Sequence, residues 1–334
     1  MSCVSTPNLV TTIKMNLIES PRLLPHSFLN FPTISSMDDF DADIAILGIP
    51  YGMPYDTHAM ANDQSRAPDA IRQFTNQADI QYTTDHYDWD LGGPLLDGRN
   101  VKVVDCGNVT TDKSNHKAHY DRAEQVARKI FEHNATLISL GGDHGIPIPV
   151  MRALNVFDQA ITLVHIDAHL DWRHEINGET EGYSSPIRRA SEMPWIKEIV
   201  QIGMRGIGSA RTSDVQDAMD YGATLIDAYE MHDIGIDAVL DRIPNNGPYY
   251  LTIDADGIDP TIMPAVLAQT PGGMSWIQLR KFIHGLVNKG RVVGMDLVEI
   301  APQYDVGNTT MIHAERLICN FIGSCVRANY YMEN

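Results

Sequence analysis

The chain has 334 residues, 43% of them hydrophobic and 20% charged, and no apolar run is long enough to span a bilayer. A formal charge of -18 opposes binding to nucleic acid or to an anionic membrane and raises the local concentration of small cations. Four cysteines, Cys3, Cys106, Cys319 and Cys325, lie apart without CxxC spacing, so neither a disulfide framework nor a thiolate zinc site is indicated and small buried hydrophobes are expected.

Residues 1–40 open with MSCVSTPNLVTTIKMNL, which lacks the apolar core and cleavage site of a secretory signal; it reads as an arm laid over the surface of a cytoplasmic protein. From residue 41 onward short, nearly all-apolar runs recur: 42–47 (ADIAIL), 101–104 (VKVV), 136–140 (TLISL), 161–166 (ITLVHI), 199–202 (IVQI), 223–226 (ATLI), 249–253 (YYLTI) and 292–297 (VVGMDL). Such runs are expected of strands buried on both faces of a parallel sheet. Between them lie helical patterns, the clearest over 116–131, where Ala123, Val126, Ala127, Ile130 and Phe131 share one face. The segment from Thr75 to Gly98 is strand-poor and rich in Asp, Tyr and Gly, and predicts a surface excursion. The alternation predicts an α/β fold, a three-layer α/β/α sandwich with a mostly parallel sheet of about eight strands and right-handed crossovers. No linker or internal repeat divides residues 41–334, so one catalytic domain is expected there.

Four motifs follow candidate strands: GGDHG at 141–145, DAHLD at 167–171, DADGIDP at 254–260, and Glu299 within VEIAPQYD. The carboxyl ends of parallel strands form the ligand crevice of an open α/β sheet, so these distant residues are expected to converge. Asp167, His169 and Asp171 alternate, as do Asp254 and Asp256, and a continuing strand would point each set to one side. Read alone, DAHLD is also a capped helix start, and GGDHG is also a turn whose glycines supply positive φ. Together they place so many carboxylates in one crevice that bound cations are needed to relieve the repulsion. Carboxylates mixed with imidazoles suit Mn²⁺, Ni²⁺ or Zn²⁺ better than Ca²⁺ or Mg²⁺. Two ions sharing aspartates account for His144, Asp167, His169, Asp171, Asp254 and Asp256 better than one, and a water between them would be a hydroxide nucleophile near neutral pH.

At these residues the sequence resembles the ureohydrolase superfamily, the arginases, agmatinases and related amidinohydrolases. The matching run extends from ADIAILGIPYG through GGDHG, HIDAHLD and TIDADGIDP to MDLVEIAPQYD. The resemblance implies an arginase-like fold and two divalent transition-metal ions, Ni²⁺ or Mn²⁺. One would be held by His144, Asp167, Asp171 and Asp254, the other by Asp167, His169, Asp254 and Asp256. It also implies that Glu299 takes the guanidinium of a small cationic substrate, whose planar fork matches a carboxylate. Attack on the guanidino carbon would release urea or a urea-like product and an amine, with Asp171 holding or relaying the proton. Family members are commonly trimers or hexamers, so a homo- or hetero-oligomer of such subunits is expected.

Two departures from the family pattern bear on the substrate. Where a histidine serves those enzymes as proton shuttle, this chain has Tyr183 within GYSSPIRR, and a phenol of reference pKa ~10 is a poor shuttle. Either the reaction proceeds without it or His174 replaces it as a catalytic group. The loop 264–273, containing Leu267 and Gln269, also differs, and Trp172 follows Asp171 where arginases recognise the amino-acid end of arginine. Trp172, Tyr183, Leu267 and Gln269 are therefore the expected pocket wall, and guanidine, a methylated guanidine or a biguanide such as metformin is the expected substrate. Agmatine and guanidinobutyrate are the alternatives. A phosphoesterase or deacetylase is disfavoured: only Arg173, Arg188 and Arg189 lie near the motifs to neutralise a phosphate, and Glu299 would repel one. A noncatalytic or regulatory subunit of a mixed oligomer is the reading from another class, motivated by the missing shuttle.

Overall fold

The computed structural model describes residues 16–19, 26–55, 63–76, 84–111, 114–245 and 247–331. Cys3 and the opening of the expected arm lie outside these. The strands are β1 (Ile18–Glu19), β2 (Ile44–Ile49), β3 (Val103–Val109), β4 (Thr136–Gly141), β5 (Ile161–Ile166), β6 (Ile196–Ile202), β7 (Thr224–Ile226), β8 (Tyr249–Asp254) and β9 (Val292–Val298). They form one sheet in the order β1-β3-β2-β4-β9-β8-β5-β6-β7, parallel throughout except that β1 runs antiparallel to β3. All eight strands expected from the sequence are present. The ninth, β1, is a two-residue edge strand too short to leave a hydropathy signal, and it covers the outer edge of β3.

The helices are α1 (Ala67–Thr75), α2 (His116–Glu132), α3 (Pro147–Ala153), α4 (Pro186–Ser191), α5 (Thr212–Tyr221), α6 (Ala228–Asp241), α7 (Trp276–Lys289) and α8 (Thr309–Arg327). Alternation along each strand divides the core between two faces. Ala45 and Leu47 join Val126, Ile130 and Met151 of α2 and α3 on one; Ile44, Ile46 and Ile253 join Phe282 and Leu317 of α7 and α8 on the other. This is the expected three-layer sandwich. Helix α2 begins where Asn115 accepts the Ala118 N–H, and its five expected apolar residues are all buried. Part of the expected surface excursion is core: Leu91 and Leu95 are buried, whereas Trp89 stays exposed. Cys106, Cys319 and Cys325 are buried free thiols. Among the described residues no helix is long and apolar enough to cross a membrane.

Candidate metal centre

The sheet order explains why the four motifs meet. Strands β4, β9, β8 and β5 are consecutive neighbours at the centre of the sheet, although they are far apart along the chain. His144 lies in the turn after β4, Glu299 directly after β9, Asp254 ends β8, and Asp167 follows β5. The convergence is not made by strands running on through the motifs. β5 stops at Ile166 and Asp256 sits in a 3-10 turn over Ala255–Gly257, so turns aim these side chains. Asp171 (φ 49°) and Glu299 (φ 65°) adopt left-handed backbone that a non-glycine residue enters at a cost. Nor do the glycines of GGDHG supply positive φ. A Cβ on Gly142 would meet Pro50 O at 2.9 Å, and one on Gly141 would meet Val298 Cγ1 at 2.6 Å, so close approach of neighbouring chain requires them.

At the centre, Nδ1 of His144 lies 3.0 Å from Asp167 Oδ2, 3.1 Å from Asp171 Oδ2 and 3.1 Å from Asp254 Oδ2. Beside it, His169 Nδ1 lies 3.1 Å from Asp256 Oδ2 and 3.3 Å from Asp167 Oδ1. Backbone amides hold the outer carboxylate oxygens. His169 N–H donates to Asp167 Oδ1, Asp256 N–H to Asp254 Oδ1, and Ala168 N–H to Asp256 Oδ1. Each of these aspartates thus keeps an oxygen facing an imidazole nitrogen.

A second layer fixes the rings. His144 Nε2–H donates to Thr252 Oγ1 at 3.0 Å, and that hydroxyl donates to Asp296 Oδ1 at 2.6 Å, which leaves Nδ1 aimed into the cluster, where it faces carboxylates with its proton on and would offer its lone pair to a cation with the proton off. Tyr250 also donates to Asp296, at 2.7 Å. His165, fully buried, donates from Nε2 to Asp167 Oδ2 at 2.8 Å and accepts from Gln201, whose amide also donates to Leu170 O. The sequence reading passed over His165, although it stands two residues before Asp167, the spacing already noted within DAHLD. Arg205 was also missed. Its guanidinium donates to Asp256 O at 2.6 Å and Thr270 O at 2.7 Å, tying the DADGIDP turn to the loop 264–273.

The electrostatics expose a charge excess. Burial, reinforced by the charges of Asp256 and Asp167, pushes the Asp254 carboxyl well above the usual range. Burial and Asp167 raise Asp171 and Asp256 as well. Burial opposes ionisation of Asp167 too, but His165 and the hydrogen bonds from His144, His165 and His169 outweigh it and hold that carboxyl well below the usual range. Burial lowers the affinity of His169 for a proton, yet Asp167 and Asp256 override it and push the ring up to about 12. Protons therefore occupy positions where divalent cations would serve equally, and the donor set of inward carboxylate oxygens and a lone-pair imidazole fits such ions.

Glu299 stands beside the cluster. Its Oε1 accepts His144 N–H at 2.8 Å and its Oε2 accepts Gln64 Nε2–H at 2.9 Å. Burial, with the charge of Asp143, raises its carboxyl to about 8 against those hydrogen bonds. Tyr183 is 44% exposed; burial of part of its ring and the charges of Glu299, Asp143 and Asp171 raise its phenol, which places it at the rim of the site. Its ring packs edge-on against Tyr55 at 4.7 Å between centroids, and the Tyr55 hydroxyl accepts Ser184 N–H at 2.8 Å. Gly182 makes room for that ring, since a Cβ there would lie 2.3 Å from Tyr55 Cε1.

Trp172 does not form the expected wall beside the cluster. It is 1% exposed, packed in the core and tilted against Tyr221, following the left-handed turn at Asp171, and it backs a separate surface pocket with Arg188 and Asp217. His174 is exposed, and its Nδ1 lies 3.4 Å from Arg189 Nη2, so it is not among the side chains the cluster brings together. Leu267 is exposed, and Gln269 turns its amide back onto Pro264 O within its own loop.

A parallel sheet covered by helices on both faces, with a buried histidine and aspartate cluster at its strand ends, defines a metal-binding α/β protein. Comparison with known proteins makes this specific. The arginase family description matches residues 42–323. An agmatinase of Serratia proteamaculans is 30% identical over 295 residues, covering 87% of this chain and 90% of that protein. Among solved structures, the proclavaminate amidino hydrolase of Streptomyces clavuligerus superposes with a TM-score of 0.78 at 24% identity, covering 91% of this chain and 97% of the other. A Trypanosoma cruzi formiminoglutamase with Mn²⁺ gives 0.75 at 19% identity, covering 90% and 99%. The chain belongs to the arginase family, hydrolases that cleave carbon–nitrogen bonds of linear amidines.

Proposed function

We propose that this chain hydrolyses a small guanidino compound, namely guanidine, a methylated guanidine or a biguanide such as metformin, to urea or a urea-like product and an amine. It would do so with two divalent transition-metal ions, Ni²⁺ or Mn²⁺. One would be held by His144, Asp167, Asp171 and Asp254, the other by Asp167, His169, Asp254 and Asp256. The observation that carries the reading is Glu299, a half-buried carboxylate joined to the cluster through the backbone N–H of His144 itself. Gln64 and His144 take one lone pair on each of its oxygens, leaving one on each for a guanidinium fork.

When bound, the ions supply a water of lowered pKa and offset the charge of the aspartates. The chain's own residues do the rest. Glu299 orients the guanidino carbon toward the cluster. Asp171, whose carboxyl is raised by burial and by Asp167, would take the proton of the attacking water and pass it to the departing amine. Tyr183 and Tyr55 offer aromatic surface beside Glu299 and Asp171, which suits a compact alkylated cation.

Agmatine is the second reading, favoured by the activity for which the Serratia relative is named. By resemblance to the family we also propose a trimer or hexamer, of one chain type or two. A panel of guanidine, methylguanidines, metformin, agmatine, guanidinobutyrate and arginine, assayed for urea or a substituted urea and for the released amine after separate loading with Mn²⁺ and Ni²⁺, tests the proposal. The expected result is turnover of a small or alkylated member ahead of arginine. Absence of both products from every compound with either ion would overturn it in favour of a noncatalytic subunit.

A further inference from the structure

Arg205 stands shortly after β6 and is buried, and every acceptor its guanidinium reaches among the described residues is a backbone carbonyl. Nη2 donates to Asp256 O at 2.6 Å and Thr270 O at 2.7 Å, Nη1 to Gly203 O at 3.0 Å, and Nε to Pro271 O at 3.1 Å. A buried cation usually meets a carboxylate, so a guanidinium spread over the carbonyls of separate segments is placed for its directions rather than for its charge. Gly273 leaves the space it occupies, since a Cβ there would lie 2.6 Å from Nη2.

The backbone of the same residue closes a ring. Arg205 N–H donates to Ala168 O at 2.9 Å, Ala168 N–H donates to Asp256 Oδ1 at 3.1 Å, and Asp256 O accepts from the Arg205 side chain. Ala168 sits between Asp167 and His169, so the ring locks the turn bearing those ligands to the turn bearing Asp256. His144 and Asp171 lie outside it: His144 bonds to Glu299, Asp254 and Thr252, and Asp171 O accepts the Arg188 N–H.

We propose that Arg205 is a positioning residue for one ion of the pair, the ion that His169 and Asp256 would hold, and not for the ion at His144 and Asp171. This rests on the division of ligands given under the proposed function. The sign of the effect separates direction from charge. A positive group behind the cluster repels a divalent cation, so by charge alone its removal would tighten binding. A guanidinium that aims Asp256 acts the other way, and outer partners of metal ligands carry about 10- to 100-fold in affinity.

Mn²⁺ titration of the whole chain against a chelator counts the ions and ranks their affinities. Arg205→Met keeps the length and removes donors and charge; one ion is expected to weaken about tenfold or more while the other stays within about threefold. Arg205→Lys keeps the charge but gathers its donors on one nitrogen, which cannot span those carbonyls, and should weaken the same ion about threefold or more. Double variants identify that ion. Added to Asp256→Asn, which already disables that side, Arg205→Met should change the remaining ion by less than about threefold; added to Asp171→Asn, it should still cost about tenfold. Tighter binding of either ion in Arg205→Met, equal weakening of both, or full affinity in Arg205→Lys overturns the proposal while leaving the metal pair standing. Should Arg205→Met fail to fold, unequal weakening in Arg205→Lys upholds the proposal and equal or absent weakening overturns it. Fewer than two ions on the unaltered chain would sink the pair and the proposal together.

Discussion

Replacing Thr252 by valine tests whether the cluster is built for metal or merely for packing. Thr252 is fully buried on β8, opposite Asp296 in the β8–β9 register, and its hydroxyl links His144 Nε2 to that carboxylate. Valine preserves the shape and removes both hydrogen bonds. His144 loses the acceptor that fixes its tautomer, and Asp296, raised to about 6 by burial against the favourable charge of His144, keeps only the Tyr250 hydroxyl of its two side-chain donors. Outer partners of metal-binding histidines typically carry 10- to 100-fold in affinity, so a loss of about 30-fold for Mn²⁺ is expected. Two buried groups left without partners should cost about 2 kcal/mol or more in the metal-free protein. A chelator competition titration reads the first and urea denaturation the second. Thr252→Ser, which retains the hydroxyl, should bind metal within about threefold of the unaltered chain. Metal affinity within about twofold in Thr252→Val, with undiminished stability, would refute the claim that this hydroxyl orients His144 for coordination.

Removing metal should make stability fall as pH rises from about 6 to about 8. Folded-state values above the unfolded ones, as for His144, His169 and Glu299, give contributions present at low pH and lost as pH climbs; Asp171, Asp254 and Asp256 shift the same way, while the depressed Asp167 has its slope below this window and the lowered His119 and His284 oppose only near its acid end. Melting with chelator against melting with Mn²⁺ should show a gap that widens with pH; a gap that narrows contradicts the proton-for-metal exchange. Asp171→Asn should abolish urea release while leaving the fold intact, since asparagine tolerates the left-handed φ of 49° better than most residues; a collapsed circular dichroism spectrum would show the carboxylate to be structural. Trp172→Ala should cost about 3–5 kcal/mol in urea denaturation through the cavity it leaves, and a change confined to KM would contradict its burial. Tyr55→Ala should lower the kcat/KM of N,N-dimethylguanidine relative to guanidine by about three- to tenfold, and an unchanged ratio would remove the aromatic rim from substrate recognition.

Much of the fold was legible because its signals are local. Runs such as ITLVHI are buried on both faces and announce parallel strands without reference to their neighbours. Strand order is not local in that sense. Nothing in GGDHG or TIDADG indicates that β4 lies beside β9 and β9 beside β8, yet that order brings His144, Glu299 and Asp254 together. Side-chain direction was equally hidden. Trp172 adjoins Asp171 in sequence, but the left-handed backbone at Asp171 sends it to the core, and alternation along an imagined strand gives no warning of such a turn. Gln64 carried no signal at all, being one polar residue among several in ANDQSRAP, and only its contact with Glu299 distinguishes it.

These blind spots share a cause that bears on how the site works. Residues legible from sequence are those whose chemistry is costly anywhere: clustered aspartates need cations wherever they occur. Those that were missed, Thr252, Asp296, His165, Gln201 and Gln64, are ordinary polar residues made special by burial against a named partner. They lie on, or are fastened to, the central strands β8, β9, β5, β6 and the turn before α1, so their positions follow from sheet hydrogen bonding. The outer carboxylate oxygens are held by backbone amides, which keeps the inward ones aimed at the cluster even where the charges repel. A site organised this way is formed before its cations arrive, and its affinity should depend more on the neutral partners that aim the ligands than on further negative charge.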